Sequence, residues 1–328
     1  MPSFISVSHL KKVFKQDKRQ AGLIGAVKSL FHRESVEKAA VKGISFDIEE
    51  GEFVGFVGPN GAGKTTTLKM LSGILHPTSG EVSVMGFTPW KRQSEFQKQF
   101  SLVMGQKNQM WFDLPVEESF EFNRAVYEIP KDIFEKQKNI LVELLDIGSL
   151  LNTQVRKLSL GERMKCELAT ALLHKPRVLF LDEPTIGLDV ISQKNIRDFL
   201  SEYNRTEKAT IILTSHYMED IRRLCERVMI IHHGELIYNG SYQQLREKYA
   251  DTKTIELVLS ERVTQDSLSK LGTVSDFRGT MARLTVPRER VTEVTTELLK
   301  NFPVDDISIH EESMEEIVSE IFQEATTK

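Results

Sequence analysis

Four short apolar runs punctuate the chain up to residue 216: "FVGFVG" (53–58), "FSLVMGQ" (100–106), "VLFLDEP" (178–184) and "ATIILTSH" (209–216). Each ends on glycine or on polar residues. A strand with one wet face alternates apolar and polar positions, so continuous runs of this length predict parallel strands covered on both faces. Between them, 131–145, 161–174 and 190–204 carry apolar residues at helical spacing. Strand and helix in alternation predict an α/β sheet, whose chemistry gathers at the C-terminal ends of its strands.

Two segments depart from this rhythm. Residues 15–39 read as an insertion in the first strands, and within it "AGLIGAVKSLF" places Leu23, Ile24, Val27, Leu30 and Phe31 at helical spacing. Such a helix packs on its own domain or, flanked by bases, lies on a partner or a membrane surface. After Tyr249 the character changes. "TIELVLS" (254–260), "MARLTVP" (281–287) and "VDDISIH" (304–310) read as strands, 288–301 as a helix, and 314–324 as a last helix with Met314, Ile317, Val318 and Ile321 on one stripe. This predicts a main domain over 1–250 and a small accessory α/β domain over 251–328, with no catalytic constellation in the latter.

Composition narrows the class. The chain has 328 residues, 40% hydrophobic and 27% charged, within the range of soluble globular proteins. Its 43 basic and 47 acidic residues give a net charge of −4, which argues against general nucleic-acid binding, so no nucleic-acid partner is expected. Residues 11–40 are locally basic and 251–328 acidic. Cys166 and Cys225 form no framework or metal-ligand spacing and are expected to stay reduced. No apolar run approaches the roughly 18 residues of a membrane span, so a membrane role is expected only through a partner.

The chemistry begins at "GPNGAGKT" (58–65), which fits G-x-x-x-x-G-K-[ST] directly after a strand and before a helix. Glycines let backbone N–H groups turn inward around phosphates, and the helix N-terminus adds partial positive charge. Lys64 would reach the β- and γ-phosphates, and Thr65 would ligate Mg²⁺. A glycine-rich strand-to-helix turn by itself requires no Lys-Thr pair. In "VLFLDEP", Asp182 ends a buried strand where it can hold Mg²⁺, and Glu183 would polarise the attacking water as general base. Gln106 and His216 also follow strand runs, where side chains can point at a terminal phosphate. Asp189, just beyond, reads alternatively as a helix N-cap.

One further stretch, "VRKLSLGERMK" (155–165), contains a capping box: Ser159 with Glu162 three residues on. A helix end with the Ser159 hydroxyl and the Gly161 N–H also binds anions. A phosphate loop leaves the far side of the γ-phosphate open. A second copy placed head-to-tail in twofold symmetry would close it with this helix end, giving two sites at one interface.

Together "GPNGAGKT", Gln106, "LSLGE" (158–162), "VLFLDEP", "GLD" (187–189) and His216 resemble, in order and spacing, the ATP-binding subunits of ABC transporters. The resemblance covers about residues 3–250. It implies a P-loop NTPase cassette, a mixed sheet core with a helical subdomain over about 106–165, with ATP and Mg²⁺ as cofactors. Asn60, Gly61, Ala62, Gly63, Lys64, Thr65 and Thr66 would cradle the nucleotide, and Phe14 would stack on adenine, with Phe31 a competitor. Thr65, Asp182 and Gln106 would serve the metal, and Glu183, His216 and Gln106 the hydrolysis. Ser159 and Gly161 would act across the dimer, with Asp189 linking the two sites. The family's usual signature has Gly where Leu160 stands and Gln where Glu162 stands.

Within that family, 105–120, "LSLGERMK" and "LDEPTIGLDV" resemble cassettes of ABC-2-type exporters, some serving drug or organic-cation efflux. The resemblance implies a peripheral subunit on the cytoplasmic face of the cell membrane, bound to separately encoded integral permease subunits. An importer subunit, or a soluble ABC ATPase acting on ribosomes or DNA, are the alternatives. The latter usually carry two cassettes or a long coiled coil, whereas this chain has one phosphate loop and no sustained heptads.

Overall fold

The computed structural model describes residues 3–17, 35–249, 252–311 and 314–327. The helix expected at 21–31, including Phe31, lies outside them. The chain packs as two compact units, Met1–Asn239 and Gly240–Lys328.

The first unit opens with two long strands, β1 (Ile5–Asp17) and β2 (Ser35–Ile48). After them come β3 (Phe53–Val57), helix α1 (Lys64–Leu71) and β4 (Ser79–Val84). A single turn, α2 (Ser94–Gln97), leads into β5 (Phe100–Met104). Three helices follow, α3 (Val116–Val126), α4 (Lys131–Leu145) and α5 (Leu160–Leu172). The unit continues through β6 (Val178–Asp182), α6 (Val190–Glu207), β7 (Thr210–Thr214), α7 (Met218–Leu224) and β8 (Arg227–His232), and its boundary at Asn239 falls within β9 (Glu235–Ser241).

All four apolar runs of the opening pattern are strands of one sheet, ordered β5-β6-β7-β3-β8-β9. Every pairing from β5 to β8 is parallel. Strands β3, β6 and β7 are buried along their whole length, as a sheet covered on both faces demands. A second, antiparallel sheet has the order β2-β1-β4. Ile5 and Ile48 of that sheet, Leu68 and Leu71 of α1, and Val54, Phe56 and Phe180 of the parallel sheet share one core. Burial at that density fixes α1, and with it the loop that precedes α1, relative to the strand ends. The described ends of the 15–39 segment are strand rather than interruption: Lys15 pairs with Glu37 and Asp17 with Ser35.

Between β5 and β6 the chain is helical. Phe134, Gln137, Leu141 and Leu145 form the buried stripe of α4, and α4 packs on α5. No described helix is long and apolar enough to cross a membrane. Cys166 and Cys225 are buried and free, and burial pushes the Cys166 thiol up to about 12.

The second unit contains α8 (Tyr242–Tyr249), β10 (Thr252–Leu259), α9 (Gln265–Ser269), β11 (Thr273–Phe277), β12 (Met281–Pro287), α10 (Val291–Asn301), β13 (Val304–Glu311) and α11 (Met314–Thr327). Its sheet is antiparallel in the order β11-β12-β10-β13. From β10 to β13 this is the β-α-β-β-α-β arrangement of ferredoxin-like units. Ile255, Leu257, Leu284 and Val286 meet Val294 and Leu298 of α10 in a separate core. Met314, Ile317, Val318 and Ile321 are buried, and α11 packs on α8. That packing places α8 with the second unit, ahead of the composition change after Tyr249.

Candidate nucleotide-binding site

Four strand ends converge. The loop 58–63 leaves β3 and enters α1, so the first amides of α1 point into the loop without intrahelical partners. The loop is braced from outside: the Gly234 N–H donates to the Ala62 carbonyl (3.0 Å), and the Lys42 N–H to the Gly234 carbonyl (2.8 Å). Lys64 folds back across the loop, its Nζ donating to the carbonyls of Gly58 (2.6 Å) and Pro59 (3.2 Å). Burial pulls its pKa down, and the Glu183 and Asp182 carboxylates oppose that shift. A buried ammonium held by two carbonyls, beside helix-start amides without intrahelical partners, offers an anion both charge and donors.

Asp182 ends β6 with both carboxylate oxygens used. The Thr65 hydroxyl donates to Oδ2 (2.7 Å) and the Thr214 hydroxyl to Oδ1 (2.8 Å). Glu183 is only 8% exposed and has φ 56°, the left-handed region, which costs a side chain with a Cβ about 1–3 kcal/mol unless its surroundings impose it. They do. Its N–H lies 3.0 Å from the Thr214 carbonyl and 3.1 Å from the Thr214 hydroxyl. Gly105, donating its own N–H to the Asp182 carbonyl (2.9 Å), lies so close that a Cβ there would sit 2.1 Å from the Glu183 carbonyl oxygen.

The Glu183 carboxylate is then shared. Gln106 Nε2 donates to Oε2 (2.9 Å), and His216 Nε2 lies 2.7 Å from Oε1. Thr65, Lys69, Met104, Gln106, Lys107, Asp182 and Glu183 line a cavity of about 210 Å³. The structure thus brings Lys64, Thr65, Gln106, Asp182, Glu183 and His216 together. The Thr65 and Asp182 oxygens are hard donors, one hydroxyl and one carboxylate, which fits a Mg²⁺ that completes its shell with phosphate oxygens and water. Among the described residues no group of three His, Cys, Asp or Glu forms a rival metal site.

Of the other expected residues, Asn60 to Gly63 and Thr66 belong to the loop and its helix, and Phe14, Ser159, Gly161 and Asp189 lie elsewhere in the first unit. Phe14 stands half-exposed on β1, paired with Lys38 and with the Lys12 ammonium 5.3 Å from its ring. Asn60 and Gly61 are exposed at the loop tip, Ala62 and Gly63 are buried beneath it, and Thr66 is half-buried in α1. Ser159 caps α5: its hydroxyl accepts from the Glu162 N–H (3.3 Å), and its own N–H donates to the Glu162 carboxylate (2.9 Å). That backbone bond holds the Glu162 carboxyl below its usual range. Asp189 caps α6, accepting from the N–H groups of Ile191 (3.0 Å) and Ser192 (2.9 Å) and from the Ser192 hydroxyl (2.6 Å). The two helix ends touch, because a Cβ on Gly161 would lie 2.5 Å from the Ser192 hydroxyl oxygen. No hydrogen bond or ion pair among the described residues joins them to the phosphate loop.

Sequence reasoning missed Thr214, the pivot between Asp182 and Glu183, and Asp220, a fully buried acid in α7. A hydroxyl ending a buried strand was the available signal for Thr214. Asp220 sits in "MEDIRR", which reads as a solvated helix face.

Comparison with known proteins adds to this geometry. A family model described as "ABC transporter" matches residues 41–186, and one described as "EvrA-like ABC transporter, C-terminal domain" matches 251–310. The ABC transporter ATP-binding protein NatA of Bacillus subtilis (strain 168) is 35% identical over 208 residues, 63% of this chain and 84% of NatA. The linearmycin resistance ATP-binding protein LnrL of the same organism is 33% identical over 224 residues, 68% of this chain and 71% of LnrL. A solved dimeric ATP-binding cassette, in a post-hydrolysis state bound to ADP and Pi, matches with a TM-score of 0.60 at 21% identity, over 72% of this chain and 98% of its own.

Proposed function

This chain belongs to the ATP-binding subunits of ABC transporters and is an ATP hydrolase, and on that premise we propose that it drives an ABC-2-type exporter through an ATP-sandwich dimer. The observation that carries the reading is Glu183: one buried, left-handed carboxylate shared by Gln106 and His216, beside the Thr65–Asp182 pair. In this reading the loop amides and Lys64 hold the phosphates of ATP. Thr65, Asp182 and Gln106 hold Mg²⁺, which when bound neutralises phosphate charge. Glu183 takes the proton of the attacking water. His216 keeps the Glu183 carboxylate aimed and contacts the γ-phosphate, and Gln106 reports its presence to the residues that follow, up to about 125. Phe14 stacks on adenine.

The far side of the γ-phosphate is supplied by the second copy, through Ser159 and Gly161, with Asp189 between the two sites. What supports this is that Ser159 and Asp189 are exposed and locally capped, with Gly161 buried beneath Ser159 against Ser192, and that the similar solved cassette is a dimer. Leu160, where the family signature has glycine, lies over Gly187 of the same chain. LnrL is by name a resistance protein, which favours export, with drugs or organic cations as the cargo class and integral permease subunits as partners. The subunit then works at the cytoplasmic face of the membrane, with the main domain, expected over 1–250 and packed as Met1–Asn239, as the motor and the C-terminal unit as an accessory domain.

The test uses the full chain. Glu183→Gln with Mg²⁺-ATP is expected to form a stable dimer in light scattering. Ser159→Arg is expected to bind ATP as a monomer and not to hydrolyse it, while Lys64→Ala loses ATP binding. A strictly monomeric, ATP-loaded Glu183→Gln would end the sandwich reading. Affinity purification from native membranes is expected to bring down integral membrane proteins, and recovery of ribosomes or DNA instead would favour the soluble class.

A further inference from the structure

We infer that Asp220 is a positioning residue for ATP hydrolysis, its one buried carboxylate holding the loop after Glu183 and the residue before His216 in a single arrangement. The inference rests on reading Glu183 and His216 as the hydrolytic pair. Asp220 is fully buried in α7 and takes three bonds. The Thr185 hydroxyl donates to Oδ2 (2.5 Å), the Ser215 hydroxyl to the same oxygen (2.7 Å), and Arg197 Nη1 of α6 to Oδ1 (2.7 Å). All three donors are themselves buried.

Thr185 is two residues past Glu183, inside the turn closed by the Ile186 N–H on the Glu183 carbonyl (3.2 Å). Ser215 lies between Thr214, which fixes Asp182 and the Glu183 N–H, and His216, which meets the Glu183 carboxylate. Both stretches that flank the general base are therefore tied to one oxygen. Arg197 compensates the buried charge and extends the tie to α6, the helix capped by Asp189. A left-handed Glu183 is strained and relaxes toward ordinary backbone unless several bonds hold it. Gly105 and Thr214 hold it directly, and Asp220 holds the turn that follows it through Thr185. Such a hub leaves the phosphate loop untouched, so it acts on the chemical step and not on ATP binding.

The experiment measures kcat and KM separately for the full-length protein, with ATP affinity and thermal unfolding in parallel. Asp220→Asn strands the Arg197 charge and is a stability risk. Thr185→Val and Ser215→Ala each remove one hydroxyl and leave the ion pair intact. We expect kcat to fall about tenfold to a hundredfold for Asp220→Asn and about threefold to tenfold for each hydroxyl variant, with KM and ATP affinity within about twofold. In a Glu183→Gln background the hydroxyl variants should cost almost nothing further, because nothing remains for them to misplace. Unchanged kcat in both hydroxyl variants, or an equal loss with and without Glu183, overturns the proposal. Near-normal hydrolysis by Glu183→Gln alone removes the base and the proposal with it. That result is distinct from failure of the proposal alone, in which Glu183→Gln is slow and the hydroxyl variants are normal.

Discussion

The strand ends around Glu183 and the paired helix ends at Ser159 and Asp189 solve the same problem, satisfying polar groups, in opposite ways. Around Glu183 the bonds are long-range: Thr65 to Asp182, Thr214 to Asp182, Gln106 and His216 to Glu183. The groups are mostly buried and the backbone is strained. At the helix ends the side-chain cap bonds span two or three residues, Ser159 and Asp189 are exposed, and Val190 and Ile191 beside Asp189 are the most exposed large apolar side chains among the described residues. The first region is assembled by the fold of one chain. The second is closed locally and presented outward, which is what a surface offered to another molecule requires. On the proposed sandwich reading, a site divided in this way would separate binding within one chain from hydrolysis that waits for a second copy.

Substitutions can break this contrast or sharpen it. Glu183→Gln should show the largest effect, a loss of about 10²- to 10⁴-fold in hydrolysis with ATP affinity kept, read from steady-state rates and nucleotide titration. Gly105→Ala comes next. Its methyl group must displace the Glu183 carbonyl, so kcat should drop about a hundredfold, and a variant of normal kcat would mean that the left-handed Glu183 is not needed.

Glu167 tests the seam between the regions, since it lies on α5, the helix that Ser159 begins, and accepts the Gln109 N–H (3.4 Å) from the loop after Gln106. Burial pushes its carboxyl from 4.5 up to about 7, against the pull of Arg163. The native state therefore holds this proton more tightly than the unfolded chain does. Its contribution is complete below about pH 4.5 and is lost as pH rises to about 7. Glu167→Gln should flatten that slope and gain on the order of 2–3 kcal/mol relative to the parent at pH 8, measured by denaturant melts at pH 5 and 8. A parallel slope in both proteins would remove Glu167 as its source. Smallest is Ser159→Ala, which removes one cap and should cost about 1 kcal/mol in the same melts. A loss well beyond that would show the helix end to be more than locally held.

Much of this was legible before folding. The four apolar runs became β3, β5, β6 and β7, and the phosphate loop, Asp182, Glu183, Gln106 and His216 fall at their ends, because a run covered on both faces has a pattern and an α/β sheet has a chemical edge. Ser159 with Glu162 was legible because a capping box spans four residues. Strand β11 was not: "TVSDF" on the sheet edge has only Val274 and Phe277 packed against the core, too few to set a period. Asp220 was not legible either, since its donors come from residues 185, 197 and 215 and a helix face in sequence does not say which way it turns.

The amino-acid order by itself therefore determined the α/β class, the phosphate loop, the two acids and the local caps, all of which depend on neighbours within a turn or a strand. Only the tertiary structure decided that Glu183 is held left-handed, that Thr214 links it to Asp182, and that Asp220 ties Thr185 to Ser215. Those bonds join residues whose separation along the chain carries no periodic signal. Close packing creates the contacts, and the cost of leaving a buried polar group unbonded then selects their partners.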